Sequence, residues 1–366
     1  GLHNLKNIPE PVQIYQVGKA PATDKRPPPR PRASRGNKII KPLLVVGALA
    51  LILAFAVLNR NPSEPDSPAS PPGQHSIAVI PFLNKSDDPD QDYLVDGITE
   101  DIVTDISRLS SLTVIAWNTT SRYRGLSVDA QVVGNELDVT HVLTGSVRKA
   151  GDRLRITAQL VETASNEQVW AERYDRRLVD IFALQDEVTR NIVSTLALQL
   201  TAEEEANLGQ SGTHNFAAYE AFLQGQRLSR QTTRESNELA RLEYQKALEL
   251  DPKHARSYGA IAYSLAQDYR RGWTDNPVES IDRALLMAQK AVELGKDIPQ
   301  THWALGYVHL MRREYEEARK SVEQAIRIAP NYADGYGLLA LINNNLGQPE
   351  RALENIQAGM RLNPFY

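Results

Sequence analysis

The 366-residue chain contains no cysteine. That excludes disulfides, thiolate metal sites and a cysteine nucleophile. It has no large excess of basic charge either: the formal net charge is −4, so no nucleic-acid partner is expected. No GxSxG elbow, Gly-rich phosphate loop or HExxH helix is present. The chain as given is therefore expected to carry no chemistry of its own, with no catalytic residue, no cofactor and no metal ligand. Long apolar runs are nearly absent too. Only residues 42–58 (PLLVVGALALILAFAVL) form a stretch without charge or side-chain hydrogen bonding.

Extended back to Ile39, that run is 20 residues long, and at ~1.5 Å per residue it matches the ~30 Å hydrocarbon core of a bilayer. A signal peptide would be shorter and would start nearer the amino terminus. A retained transmembrane helix over 39–58 is the expectation. Between residues 19 and 41, Lys19, Lys25, Arg26, Arg30, Arg32, Arg35, Lys38 and Lys41 stand against the single acid Asp24. Basic flanks stay inside. The localisation that follows is a single-pass inner-membrane protein with a cytoplasmic amino terminus and a periplasmic bulk. Gly47, Ala48 and Leu51 make a faint small-residue face through which a homodimer could form.

Segments 18–38, basic and Pro-rich, and 59–75, Pro/Ser-rich, read as linkers. Residues 76–205 read as β-α-β-α-β-β-β-α, an α/β domain with a mixed sheet, closed by a helix from 178 to about 205. Asp87, Asp88, Asp90 and Asp92 lack the twelve-residue calcium pattern and read as a solvated loop capping the next helix. Asp96, Glu100, Asp101 and Asp105 form an acidic stripe on that helix. It reads as a wet face, its repulsion relieved by Arg148, Arg153 or Arg173. Trp170, Tyr174 and Phe182 read as core.

In residues 215–366, Leu305-Gly306, Ala318, Ala325 and Pro330 recur 34 residues later as Leu339-Ala340, Ala352, Gly359 and Pro364. Small residues at these places let antiparallel helices approach closely, and proline ends each second helix. Pro252 lies 78 residues before Pro330, so one unit is longer by ten, with the extra residues around 270–277. About four units are expected. The spacing and residues resemble tetratricopeptide repeats. The resemblance implies an all-α solenoid that holds a protein or peptide partner on its first-helix face. Candidate contacts are Tyr258, Tyr269, His302, His309 and Tyr336.

Two further resemblances concern the earlier segments. Gly1, Leu5, Lys6, Ile8, Glu10, Pro11, Val12 and Tyr15 resemble the closing strand of class III adenylate/guanylate cyclase domains, with Asn7 where Gly is usual. Residues 1–17 would then be the remnant of a catalytic domain, in a chain that starts at Gly1 and reads as a piece of a longer protein. The family's metal-binding and purine-recognising residues lie upstream, so none is carried over.

Residues 76–188 look like the periplasmic domain found in bacterial cyclase and transcriptional-sensor fusions. That domain is similar to the amino-terminal domain of TolB. The resemblance rests on SIAVIPF (76–82), NKSDDPDQDYLVDGITEDIVTDISRL (84–109), LTVIA (112–116), ELDVTHVLTGSVRKAGDRLRITAQLVE (136–162) and VWAERYDRRLVDIFALQDEV (169–188). Trp117, Ser121, Arg122 and Asp138 depart from that pattern, Asp138 standing where Gly is common. The resemblance implies a binding module rather than an enzyme. The expected fold class is thus multidomain: a transmembrane helix, a TolB-like α/β domain, then a repeat solenoid. The expected function is a membrane-anchored sensory and protein-interaction region. The alternatives are a fragment of an adenylate cyclase whose parent makes cyclic AMP from ATP, and, more weakly, an envelope assembly factor.

Overall fold

Strand β1, His75–Val79, sends alternate side chains into two different cores. Ile77 and Val79 enter one, while Ala78, with Ile80 just beyond the strand, enters the other. That period-two division is what a strand sandwiched between helical layers requires. The computed structural model describes residues 2–3, 12–13, 75–207, 213 and 215–365. The chain divides into two units, Gly1–Asp66 and Ser67–Tyr366. In the first, Leu2–His3 pairs antiparallel with Val12–Gln13.

In the second unit the sheet is mixed. Its remaining strands are β2, Leu83–Asn84; β3, Leu112–Val114; β4, His141–Ala150; β5, Arg153–Glu162; and β6, Glu167–Arg177. The order is β3-β1-β4-β5-β6, with β2 also on β4. β1 runs parallel to β3 and β4, whereas β4-β5-β6 is an antiparallel meander. Helix α1, Asp92–Ile106, makes the crossover from β2 to β3. It buries Leu94, Ile98, Ile102 and Ile106 completely, a four-residue repeat on one face. A short helix α2, Trp117–Thr120, follows β3. Helix α3, Ala130–Leu137, covers the opposite face of the sheet through Ala130, Val133 and Leu137.

Helix α4, Ile181–Thr195, packs beside α1. It does not continue to residue 205 as the apolar spacing suggests. Ala197 takes φ 49° and Leu198 N–H bonds back to Val193 O at 3.1 Å, which ends the helix; a separate helix α5 covers Ala202–Asn207.

The repeat array follows as antiparallel pairs. These are α6, Phe216–Ser229, with α7, Arg234–Leu250; α8, Ala255–Arg271, with α9, Pro277–Leu294; α10, Pro299–Met311, with α11, Tyr315–Ile328; and α12, Ala333–Asn345, with α13, Pro349–Leu362. Ala240, Ala247, Ala284, Ala288, Ala291, Ala318 and Ala325 are fully buried at the pair interfaces. Gly306 shows why: a Cβ there would sit 2.4 Å from Val322 Cγ2 and 3.1 Å from Ala318 O. The ten extra residues of the second unit lengthen its hairpin. α8 and α9 have 17 and 18 residues, against 13 and 14 in α10 and α11.

The expected fold class and localisation need correction where they invoke a membrane. Among the described residues, no helix is long and apolar enough to cross one. The longest, α9, has 18 residues but carries Glu279, Asp282, Arg283, Lys290 and Glu293, more charge than a hydrocarbon core accepts. A single-pass inner-membrane placement with a periplasmic bulk, and a membrane partner, are therefore not supported. The run 39–58, the linkers around it and most of 1–17 lie outside the described residues. What the structure supports is a small mixed-sheet lobe joined to a helical repeat solenoid.

Two substitutions test this packing by chemical denaturation. Asp138 ends α3 at φ 51°, a left-handed geometry that suits glycine. Asp138→Gly should therefore stabilise by about 0.5–1 kcal/mol. Gly306→Val should destabilise by about 2–3 kcal/mol, because Val322 and the α11 backbone leave no room.

Candidate functional site between the lobes

The acidic stripe of α1 is not a wet face. It lies along the inner surface of the repeat array, and the arginines that meet it come mostly from the repeats. Asp101 is 9% exposed. It accepts from Arg256 Nη1 at 2.7 Å on one oxygen and from Tyr219 Oη at 2.6 Å on the other. Gln185 Nε2 adds a longer contact at 3.3 Å. Glu100 pairs with Arg230, and Asp96 with Arg124 of its own lobe at 2.8 Å. Tyr93 Oη donates to Glu220 at 2.9 Å, and Lys149 Nζ reaches the same carboxylate at 3.5 Å.

Burial and the Asp101 charge push the Tyr219 phenol well above its ordinary value, so it stays a donor. Burial alone would lower the Arg256 guanidinium, but the Asp101 carboxylate raises it, so the guanidinium is held charged. His254, between Phe222 and Ser257, is pushed down to about 4 by burial and by Arg256, so it is neutral.

The far half of the interface is held by one amide. Asn331, 7% exposed, lies just before α12. Its Nδ2 donates to Leu109 O at 2.9 Å and Leu112 O at 2.8 Å, and its Oδ1 accepts from Val114 N–H at 3.1 Å. Its own N–H bonds Ser107 O at 3.1 Å. Beyond it, Ala116 N–H donates to Leu362 O at 2.7 Å, Thr119 donates to Asn363, and Arg122 lies 4.0 Å over the Phe365 ring. The first lobe thus touches every pair of the array.

The contact is not filled. A cavity of about 650 Å³ remains between the lobes. Glu100, Trp117 and Asn118 line one side, and Arg256, Gln300 and Asp334 line the other. Tyr263 and Trp303 stand between these, with ring centroids 5.4 Å apart, and Tyr307 stacks on Trp303 at 5.5 Å. A second cavity of about 30 Å³, room for about one water, lies beside Asp105 and Arg108.

None of the five sequence-predicted contact residues borders the large cavity. Tyr258 Oη donates to Pro252 O at 3.4 Å and Tyr336 Oη to Pro330 O at 3.1 Å. His302 Nε2 is tied to Lys296 O at 2.7 Å, and His309 Nδ1 to Glu314 at 2.6 Å. Tyr269 is 36% exposed. The cavity-lining residues follow repeat register instead. Phe222, Arg256, Gln300 and Asp334 are successive equivalents, spaced 34, 44 and 34 residues apart, the middle interval carrying the ten-residue insertion. That register was readable; the identity of the opposite wall was not.

Residues 73–191 match the family model described as HilA/YgeH-like transcriptional regulator, second domain. Residues 299–332 match that of the tetratricopeptide repeat. Among curated proteins, "Putative adenylate cyclase 3" of Rhizobium meliloti (strain 1021) is 37% identical over 318 residues, covering 87% of this chain and 48% of that protein. The chain spans about half the length of that curated relative. Among solved structures, a thermophilic tetratricopeptide-repeat protein of Thermus thermophilus is 16% identical, with a TM-score of 0.35 over 51% of this chain and 89% of that one. TolB of Acinetobacter baumannii is 18% identical, with a TM-score of 0.27 over 35% of this chain and 30% of that one. Scores this low carry no argument, and the expected TolB likeness does not rest on them. The chain thus carries a tetratricopeptide repeat, in an array of the kind that scaffolds protein or peptide partners. It is also related to a protein named as a cyclase.

Two measurements check the interface. Asn331→Ala leaves the Leu109 and Leu112 carbonyls and the Val114 N–H without their partner, and should destabilise by about 2–4 kcal/mol in urea unfolding. Asp105 provides the pH test. Burial, with the charges of Asp101 and Asp186, raises its carboxyl from 3.8 to about 7 despite Arg108 and Arg256. Between about pH 4 and 7 the folded state therefore keeps a proton that the unfolded chain has lost. The stability contributed by this group falls as pH rises through that window and is flat above it. Asp105→Asn should accordingly gain on the wild type from pH 4 to 7.5, by on the order of 4 kcal/mol. A constant difference would contradict the assignment.

Proposed function

We propose that residues 75–366 are the regulatory, partner-binding region of a nucleotide-cyclase-like protein. In this reading helix α1 and the segment behind it act as an internal occupant of the repeat array. The observation that carries it is the two ion pairs, Asp101–Arg256 and Glu100–Arg230, and the Tyr93–Glu220 hydrogen bond that join α1 to the inner surface such arrays offer to partners. An external protein or peptide either displaces α1 from that surface or binds the array while α1 stays. Tyr258 and Tyr269 are proposed as outer contacts in the second case. The relative's name supports a whole-protein activity of making cyclic AMP from ATP. The HilA/YgeH-like match supports a regulatory rather than catalytic lobe.

The test is made on the longest polypeptide encoded with this chain. Cyclic AMP formation from ATP is followed in the parent, in Arg230→Glu, and in Arg230→Glu combined with Glu100→Arg. The single reversal places two like charges across the interface and should change the rate severalfold; the swap should restore it. Residues 1–366 alone should show no turnover. A rate indifferent to the reversal, in a variant that stays folded, would remove the regulatory reading.

A further inference from the structure

The cavity between the lobes has a charge imbalance that the contacts around it do not resolve. Two cations line it, and each is matched: Arg256 by Asp101 at 2.7 Å and Arg230 by Glu100. Asp334 has no ion pair among the described residues. Its carboxylate accepts only a long contact from Asn118 Nδ2, 3.4 Å, because the nearby Trp303 Nε1 donates to its backbone oxygen instead. Burial and the charge of Glu100 lift the Asp334 carboxyl to about 6, and no cation offsets them. At the equivalent position of the preceding repeat, Gln300 Oε1 is buried and accepts no hydrogen bond, while its Nε2 donates to Thr104 at 3.4 Å. The wall therefore presents one carboxylate without an ion pair, Asp334, and no unmatched cation.

We propose that this cavity binds an organic cation, an ammonium or guanidinium on an apolar stem, paired with Asp334 and lying against Trp303 and Tyr263. Its N–H groups donate to the Asp334 carboxylate. A neutral apolar molecule would leave that carboxylate desolvated, and an anion would meet like charge. The aromatic rings supply π faces of the kind that hold cations and their stems. A volume of about 650 Å³ suits a small molecule or one side chain of a peptide. Asp334 sits in the first turn of α12, where the helix dipole eases its charge without neutralising it. The site does not depend on any cyclase activity of a longer protein, and it is tested by binding to this chain alone.

The whole chain is titrated with phenethylammonium, butylguanidinium, acetyl-Ala-Lys-Ala amide and 3-phenylpropionate. Tryptophan fluorescence and thermal unfolding are the readouts. Saturable binding of the cations, with a raised unfolding midpoint and no response to phenylpropionate, is expected. Tighter binding of the free amines assigns the cation to a small molecule; tighter binding of the lysyl peptide assigns it to a partner chain. Asp334→Asn should weaken binding at least tenfold while keeping the unfolding midpoint at or above that of the wild type at pH 7.5. Trp303→Leu should weaken binding as well. The site is overturned if phenylpropionate binds as well as phenethylammonium, if Asp334→Asn binds unchanged, or if no cation binds by about 10 mM.

Discussion

Helix α1 is buried on two sides, and the second lobe owes its placement to how the second side is neutralised. One flank is aliphatic and rests on the sheet. The other carries Asp96, Glu100, Asp101 and Asp105, four acids within three turns. Left alone, such a stripe repels itself and would draw water. Pressed against the array, it survives because Arg230 and Arg256 arrive from two different repeats, with Tyr219 donating a further hydrogen bond. Removing one partner of the Asp101–Arg256 pair leaves a buried charge uncompensated, a loss of roughly 3–5 kcal/mol. The pair therefore fixes register between the lobes more than it adds net stability.

Asn331 does at the other end what the arginines do in the middle, with neutral chemistry. The segment from 107 through β3 passes under a repeat and would strand backbone groups there; the Asn331 side chain meets the Ser107, Leu109 and Leu112 carbonyls and the Val114 N–H. The two mechanisms differ in their response to salt: the more exposed Glu100–Arg230 pair weakens with screening, the buried Asp101–Arg256 pair much less, and the amide contacts not at all. Asp105 adds a third term, a carboxyl that carries its proton to near-neutral pH because the array covers it.

Much of this fold was legible in the sequence. The alternation of β5, the four-residue repeat of α1 and the 34-residue spacing of small residues and prolines each impose one backbone geometry, so the mixed sheet and the helix pairs could be read directly. What sequence could not show was which surface each element meets. The α1 acids read as solvated because their partners Arg230 and Arg256 lie 130 and 155 residues downstream. Of the nearer arginines suggested for them, Arg148 pairs with Asp87 and Arg173 bonds Asp175. The tyrosines and histidines chosen as contacts were picked by residue type, and most are occupied by their own backbone or by a neighbouring acid. Repeat register places Arg256, Gln300 and Asp334 in line along the cavity. The break after α4 also escaped, because a left-handed alanine leaves no mark on hydropathy.

The long second hairpin has a consequence of its own. Four additional residues per helix raise its tip by about 6 Å over the neighbouring pair. At that tip Arg271 stacks on Trp273 at 4.9 Å and Gly272 turns the chain at φ 66°. Nothing buried between the lobes draws on Asp275 or Asn276 beyond the turn. Evolution can therefore lengthen, shorten or redecorate this spur without touching the core, since each added loop residue costs little entropy. Among relatives, variation in length should accumulate there first.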